Sequence, residues 1–156
     1  MMHHMAQDFF ADVLVTAVPD GDKIIVRAIN DTPDVVSVTV TARAVHINGA
    51  LRDLEQATVQ VGTDAVDTFA LNAFVIAADE MLVVDWQSDQ GNGREVYAPQ
   101  PYKSYDLAPP QIDMTVDGND ITLTAKGLAL FVAVEADLRI RKEGTLNADP
   151  YVIATC

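Results

Sequence analysis

Val36-Ser37-Val38-Thr39-Val40-Thr41-Ala42-Arg43-Ala44 alternates apolar and polar side chains without a break. A β-strand turns successive side chains to opposite faces. This period of two therefore sets Val36, Val38, Val40, Ala42 and Ala44 on one face and Ser37, Thr39, Thr41 and Arg43 on the other. One dry face and one wet face mark a strand laid against a sandwich core.

The same reading extends in both directions. Upstream, Ala11–Ala17 and Lys23–Ile29 read as strands separated by the turn signal Val18-Pro19-Asp20-Gly21-Asp22, and Asn30-Asp31-Thr32-Pro33-Asp34 punctuates the chain again. Downstream, Asn48-Gly49 marks a turn before a strand near Gln56–Val61. Further strands are expected around Thr68–Leu71 and Glu80–Gln87, and Gln90-Gly91-Asn92-Gly93 leads to a returning strand at Glu95–Ala98. Arg52–Gln56 has the option of a helical turn, but no long amphipathic helix is present. About seven short strands with frequent turns predict an all-β fold, an immunoglobulin-like antiparallel β-sandwich over residues 8–100.

A shift in composition follows. Pro99-Gln100-Pro101 and Ala108-Pro109-Pro110 bracket Tyr102–Leu107, so residues 101–110 read as an extended linker. Beyond it, Ile112–Val116 and Ile121–Ala125 flank the hairpin signal Asp117-Gly118-Asn119-Asp120, and Leu128–Glu135 suggests one more buried strand. Residues 111–156 are close to the roughly 40-residue size below which domains rarely fold unaided, and they read as a second, incomplete β-sandwich unit. Residues 1–7, with Met1-Met2-His3-His4, read as a short leader or a cloning remnant.

Composition excludes several functions. The 156 residues include 23 acidic and 10 basic ones, a formal net charge of −13. Such a surface repels phosphate backbones and anionic membranes, which argues against nucleic acid and membrane as partners. The longest apolar stretch, Gly127 to Val134, is far short of the ~20 residues of a membrane-crossing helix. Cys156 is the single cysteine, so no intrachain disulfide and no cysteine-built zinc site can form. No compartment is announced.

The order of these segments resembles the C-terminal part of glycoside hydrolase family 2 β-mannosidases. The resemblance is carried by Phe9-Phe10-Ala11-Asp12-Val13-Leu14-Val15, by Ile29-Asn30-Asp31-Thr32-Pro33 after a strand, and by Met81-Leu82-Val83-Val84-Asp85-Trp86-Gln87. It continues through Tyr102-Lys103-Ser104-Tyr105-Asp106-Leu107-Ala108-Pro109-Pro110, Ile112, Ile121-Thr122-Leu123-Thr124-Ala125 and Ala129-Leu130-Phe131-Val132, covering about residues 8 to 135. The family places two sandwich domains in this order after its catalytic barrel. From Gly144 to Cys156 the chain departs: Asn147-Ala148-Asp149-Pro150-Tyr151 is only a loose echo of the family's last strand and turn. The resemblance implies a non-catalytic accessory module of a β-mannosidase-like glycoside hydrolase acting on β-linked mannosides. The parent enzyme's catalytic barrel would be its partner. A free-standing carbohydrate-binding or adhesion module is the alternative.

The chemistry follows the same division. Retaining glycosidases need two carboxyl groups about 5–5.5 Å apart, and the resembling enzymes hold theirs on a barrel of ~250 residues that this chain has no pattern to build. No catalytic, cofactor-binding or metal-binding residue is assigned, and no cofactor is expected. Asp79-Glu80 and Glu135…Asp137 are carboxylate pairs by spacing only and are read as solvated or turn-associated. Asp117, Asn119 and Asp120 are read as hairpin residues over a calcium loop, since the later bidentate Glu is missing. His46 falls on the polar side of its strand and is expected to be exposed, His3 and His4 belong to the leader, and Ser88 and Ser104 have no histidine nearby in sequence. The aromatic candidates for a sugar platform are Trp86, Tyr97, Tyr102 and Tyr105. Trp86 alternates with Leu82 and Val84 and is expected in the core, its indole N–H seeking a carbonyl. Tyr102 and Tyr105 are expected to wedge between the two units. The open sheet edge of the second unit is a candidate for self-association.

Overall fold

A computed structural model of the chain describes residues 12–118, 120–133, 146–148 and 152–155. Its strands are β1 (Val13–Asp20), β2 (Lys23–Asn30), β3 (Val36–His46), β4 (Leu51–Val61), β5 (Val66–Asn72), β6 (Glu80–Gln87) and β7 (Asn92–Tyr97). Then come β8 (Ile112–Asp117), β9 (Asp120–Ala125), β10 (Ala129–Ala133), β11 (Leu146–Ala148) and β12 (Val152–Thr155). The first seven form two antiparallel sheets, ordered β1-β2-β5 and β4-β3-β6-β7. The later strands form β11-β9-β8 and the parallel pair β10-β12. The fold is all-β, as the alternation predicts.

Both early sheets feed one core. Val13, Val15, Ile24, Val26 and Ala28 come from one sheet; Val36, Val38, Val40, Ala42, Leu82 and Val84 come from the other, all at 2% exposure or less. Each valine-sized side chain fully withdrawn from water contributes about 1.5–3 kcal/mol, so this face decides the register of β3. Where the chain leaves β2, Asn30 is fully buried and its amide is completely used. Its Nδ2 donates to Asp34 O at 2.7 Å and Val61 O at 3.0 Å, and its Oδ1 accepts from the backbone and hydroxyl of Thr32 at 2.9 and 2.7 Å. The Asn-Asp-Thr-Pro turn is therefore a hydrogen-bonded corner that ties β2 to the end of β4. Each partner orphaned by its loss would cost about 1–3 kcal/mol.

Three sequence readings need correction. Arg52–Gln56 is not a helical turn: β4 runs from Leu51 in antiparallel register with β3, with Arg43 opposite Asp53 and Ala42 opposite Glu55. The skipped residue, Leu54, is a bulge whose side chain packs on the core. That extra residue breaks the period of two and hides the strand from a pattern reading. The linker is not extended throughout, because Tyr102–Ser104 closes a 3₁₀ turn. His46 is half-buried, and its Nε2 lies 2.8 Å from Asp79. The strand expected over Leu128–Glu135 is β10, described from Ala129 to Ala133; Glu135 lies outside the described residues, as do Asp137, His3, His4 and Asn119.

A second apolar cluster lies on the opposite face of the four-stranded sheet. Val45, Met81 and Val83 point there, covered by Tyr105 and Leu128, with Ile47, Val96, Ala98, Leu107 and Leu130 around them. β6 is thus buried on both sides at its start, which explains the unbroken apolar run Met81-Leu82-Val83-Val84. The turn carrying Gly49 meets the turn before β10 closely: a Cβ on Gly49 would lie 3.3 Å from Gly127 Cα. A third cluster, Leu123 and Ala129 with Ile121, Ala125 and Val132, joins β9 to β10.

Candidate functional site

The register of the four-stranded sheet lays its outer face out as rungs. One rung runs Thr58–Thr39–Gln87–Asn92 across β4, β3, β6 and β7. The next is Gln56–Thr41–Asp85–Arg94, then Asp53–Arg43–Val83–Val96, and finally Leu51–Val45–Met81. The face grades from polar to apolar along the strands. Its apolar end is covered by Tyr105 and Leu128; at its polar end Thr58, Gln56, Gln87 and Asn92 are exposed and Thr39, Thr41, Asp85 and Arg94 half-buried.

Charge on the polar end is locally balanced. Asp85 receives Arg94 Nε on Oδ1 at 2.6 Å and Arg43 on Oδ2 at 2.9 Å, while Arg43 Nε also reaches Asp53 at 2.9 Å. Thr39 and Thr58 share a hydroxyl hydrogen bond of 2.9 Å. Two adjoining shallow recesses open here, both bordered by Asp85: one of about 470 Å³ between Arg43 and Arg94, and one of about 410 Å³ over Thr41, Gln56 and Gln87.

The residues singled out in the sequence are dispersed. Trp86 faces the core side with Leu82 and Val84, as its alternation predicts, but it is only half-buried at the sheet edge. Its indole lies against Gly93, directly opposite on β7, where an added Cβ would come within 2.6 Å of Nε1. No carbonyl partner of that N–H is seen among the described residues. Tyr97 packs against the core from β7, and Tyr102 is exposed. Tyr105 is the wedge: it is 8% exposed, and its hydroxyl accepts from Gln100 N at 3.3 Å and donates to Glu80 O at 3.4 Å. Burial raises its pKa. These rings do not form one flat platform.

The polar candidates are structural. The His46 ring accepts from Asn48 N through Nδ1, which leaves Nε2 to donate to Asp79. Glu80 accepts from Arg52 at 2.6 Å and from Ala77 N at 2.9 Å. Burial works to raise its carboxyl, but the Ala77 and Arg52 hydrogen bonds outweigh it and hold the group below the usual glutamate range. Ser88 closes the β6–β7 turn onto Gly91 O, Ser104 sits exposed on the 3₁₀ turn, and Asp117 and Asp120 flank Gly118, whose φ of 62° suits a hairpin. The outer-face rungs were missed in the sequence. Alternation identifies Thr39, Thr41 and Arg43 as outward, but only the strand order places Asp85, Gln87 and Arg94 beside them.

Among solved structures, the β-D-mannosidase of Dictyoglomus thermophilum superposes with a TM-score of 0.74 at 15% identity, over 86% of this chain and 18% of that one. The fold is one found within a β-mannosidase. This chain therefore spans less than a fifth of that enzyme's length. A covalent complex of Bacteroides uniformis β-glucuronidase 2 matches over 81% of this chain and 16% of that one, at 9% identity and a TM-score of 0.32, too low to carry an argument. No family model matches the chain, and no curated protein matches it. Among the described residues no helix is long and apolar enough to cross a membrane.

Proposed function

We propose that the chain is a non-catalytic accessory module of a β-mannosidase-like glycoside hydrolase acting on β-linked mannosides. The observation that carries this reading is the superposition of 86% of the chain on a small part of a β-mannosidase. Residues 8–100 form the first sandwich domain, 101–110 the linker, and 111–156 part of a C-terminal sandwich domain. The wedge at Tyr105 supports a structural role, since it fixes the later strands against the outer face of the first sandwich. The module's work is to buttress the catalytic barrel and shape the approach to it.

The test is the reading frame around this sequence. A β/α barrel with a pair of carboxylates encoded in the same frame is the expected result. A complete short frame with no barrel would replace this reading with the free-standing carbohydrate-binding module, which the open polar face also suits.

A further inference from the structure

The open polar end of the four-stranded sheet has the chemistry of a sugar-binding face. We propose that the two rungs Thr58–Thr39–Gln87–Asn92 and Gln56–Thr41–Asp85–Arg94 bind a neutral chain of β-linked hexopyranoses. The proposal rests on the glycosidase reading only for the choice of mannose as the first sugar to try.

Three observations carry it. The first is composition. In a chain of net charge −13, these rungs carry amides and threonines, and the acids beside them are held by arginines. A face selected only for solubility would share the chain's surplus of carboxylates, and a balanced face suits an uncharged ligand.

The second is hydrogen-bonding capacity. A sugar hydroxyl both donates and accepts, so its site needs acceptors and donors side by side. Each oxygen of Asp85 holds one arginine and keeps a lone pair. The side-chain amides of Gln56 and Gln87 are exposed and make no hydrogen bond among the described residues, so they supply both roles. Asp85 is fixed by two guanidinium groups on neighbouring strands, which orients it before any ligand arrives.

The third is shape. With strands about 4.8 Å apart, four side by side make a strip about 14 Å long, and two rungs make it about 7 Å wide. That suits two to three pyranose rings lying across the strands, over the recess that Thr39, Thr41, Gln56, Asp85, Gln87 and Asn92 line.

The experiment is a ¹⁵N-NMR titration of the full chain with β-1,4-mannopentaose and, separately, cellopentaose, following Trp86 fluorescence in parallel. Shifts confined to residues 39–41, 56–58, 85–87 and 92–94, weakened roughly tenfold or more by the double variant Gln56→Ala/Gln87→Ala, are expected. Both substituted residues are exposed, so a dispersed variant spectrum shows that the fold is kept, and Phe74→Ala, on another surface, should bind as the parent does. Binding of cellopentaose alone would uphold the site and count against the mannoside reading. No shifts with either sugar at millimolar concentration, shifts elsewhere, or binding unchanged in the double variant would overturn the proposal.

Discussion

Gly93 shows how a single residue fixes the position of the chain's one tryptophan. The Trp86 indole occupies the space where any side chain on Gly93 would stand, with Nε1, Cε2 and Cζ2 all within 2.8 Å of an ideal Cβ. Trp86 is half-buried because it covers the edge of the core instead of entering it. Gly93→Ala must push the indole outward, at a cost typical of overpacking, about 1–3 kcal/mol. Since Trp86 is the only tryptophan, its emission reports the event directly. The expected outcome is a red shift with a lower denaturation midpoint, and unchanged emission would refute this packing. The sequence places Trp86 on the inner face correctly, but its depth depends on β7 being an edge strand, which no local pattern encodes.

At the scale of elements, strands whose alternation is intact are legible and strands carrying a bulge are not. β3 is read from Val36 onward because one complete face is apolar. β4 is half lost because Leu54 interrupts its period, and pairing with β3 overrides the local preference around Arg52. Arg52 in turn links β4 to the start of β6, donating to Val75 O at 2.8 Å and to Glu80 at 2.6 Å. Because the Glu80 carboxyl is held below its ordinary value in the folded chain, its ionised form stabilises the fold. That contribution is fully present above the unfolded-state value of about 4.3 and is lost as pH falls through the lower folded-state value. Arg52→Ala should remove roughly 1 kcal/mol at pH 7 and reduce the loss of stability below pH 4.5. Melting curves from pH 7 to pH 3 check this: parallel curves for parent and variant would show that the pair does not matter.

At the scale of the whole molecule, the cluster of Val45, Met81 and Val83 under Tyr105 and Leu128 joins the first sandwich to the later strands. The linker's prolines are legible in the sequence. The apolar end of the outer face is not, because its side chains come from three strands and become a patch only after those strands align. At Gly49 two turns meet: its φ of 91° disfavours any side chain, and Gly127 Cα lies 3.3 Å from where one would begin. Gly49→Ala should cost about 1–2 kcal/mol through its backbone and also loosen the contact. Faster proteolytic cleavage within residues 99–110 is the expected readout, and parent-like resistance would contradict the contact's role. The central claim is that this fold supplies structure to a glycosidase and no chemistry of its own. Its most direct test is incubation of the purified chain with an aryl β-mannoside. The account predicts release at the buffer rate, because the barrel that would hold both carboxylates lies outside this fold. Turnover above background that is abolished by replacing a single Asp or Glu of this chain would contradict it.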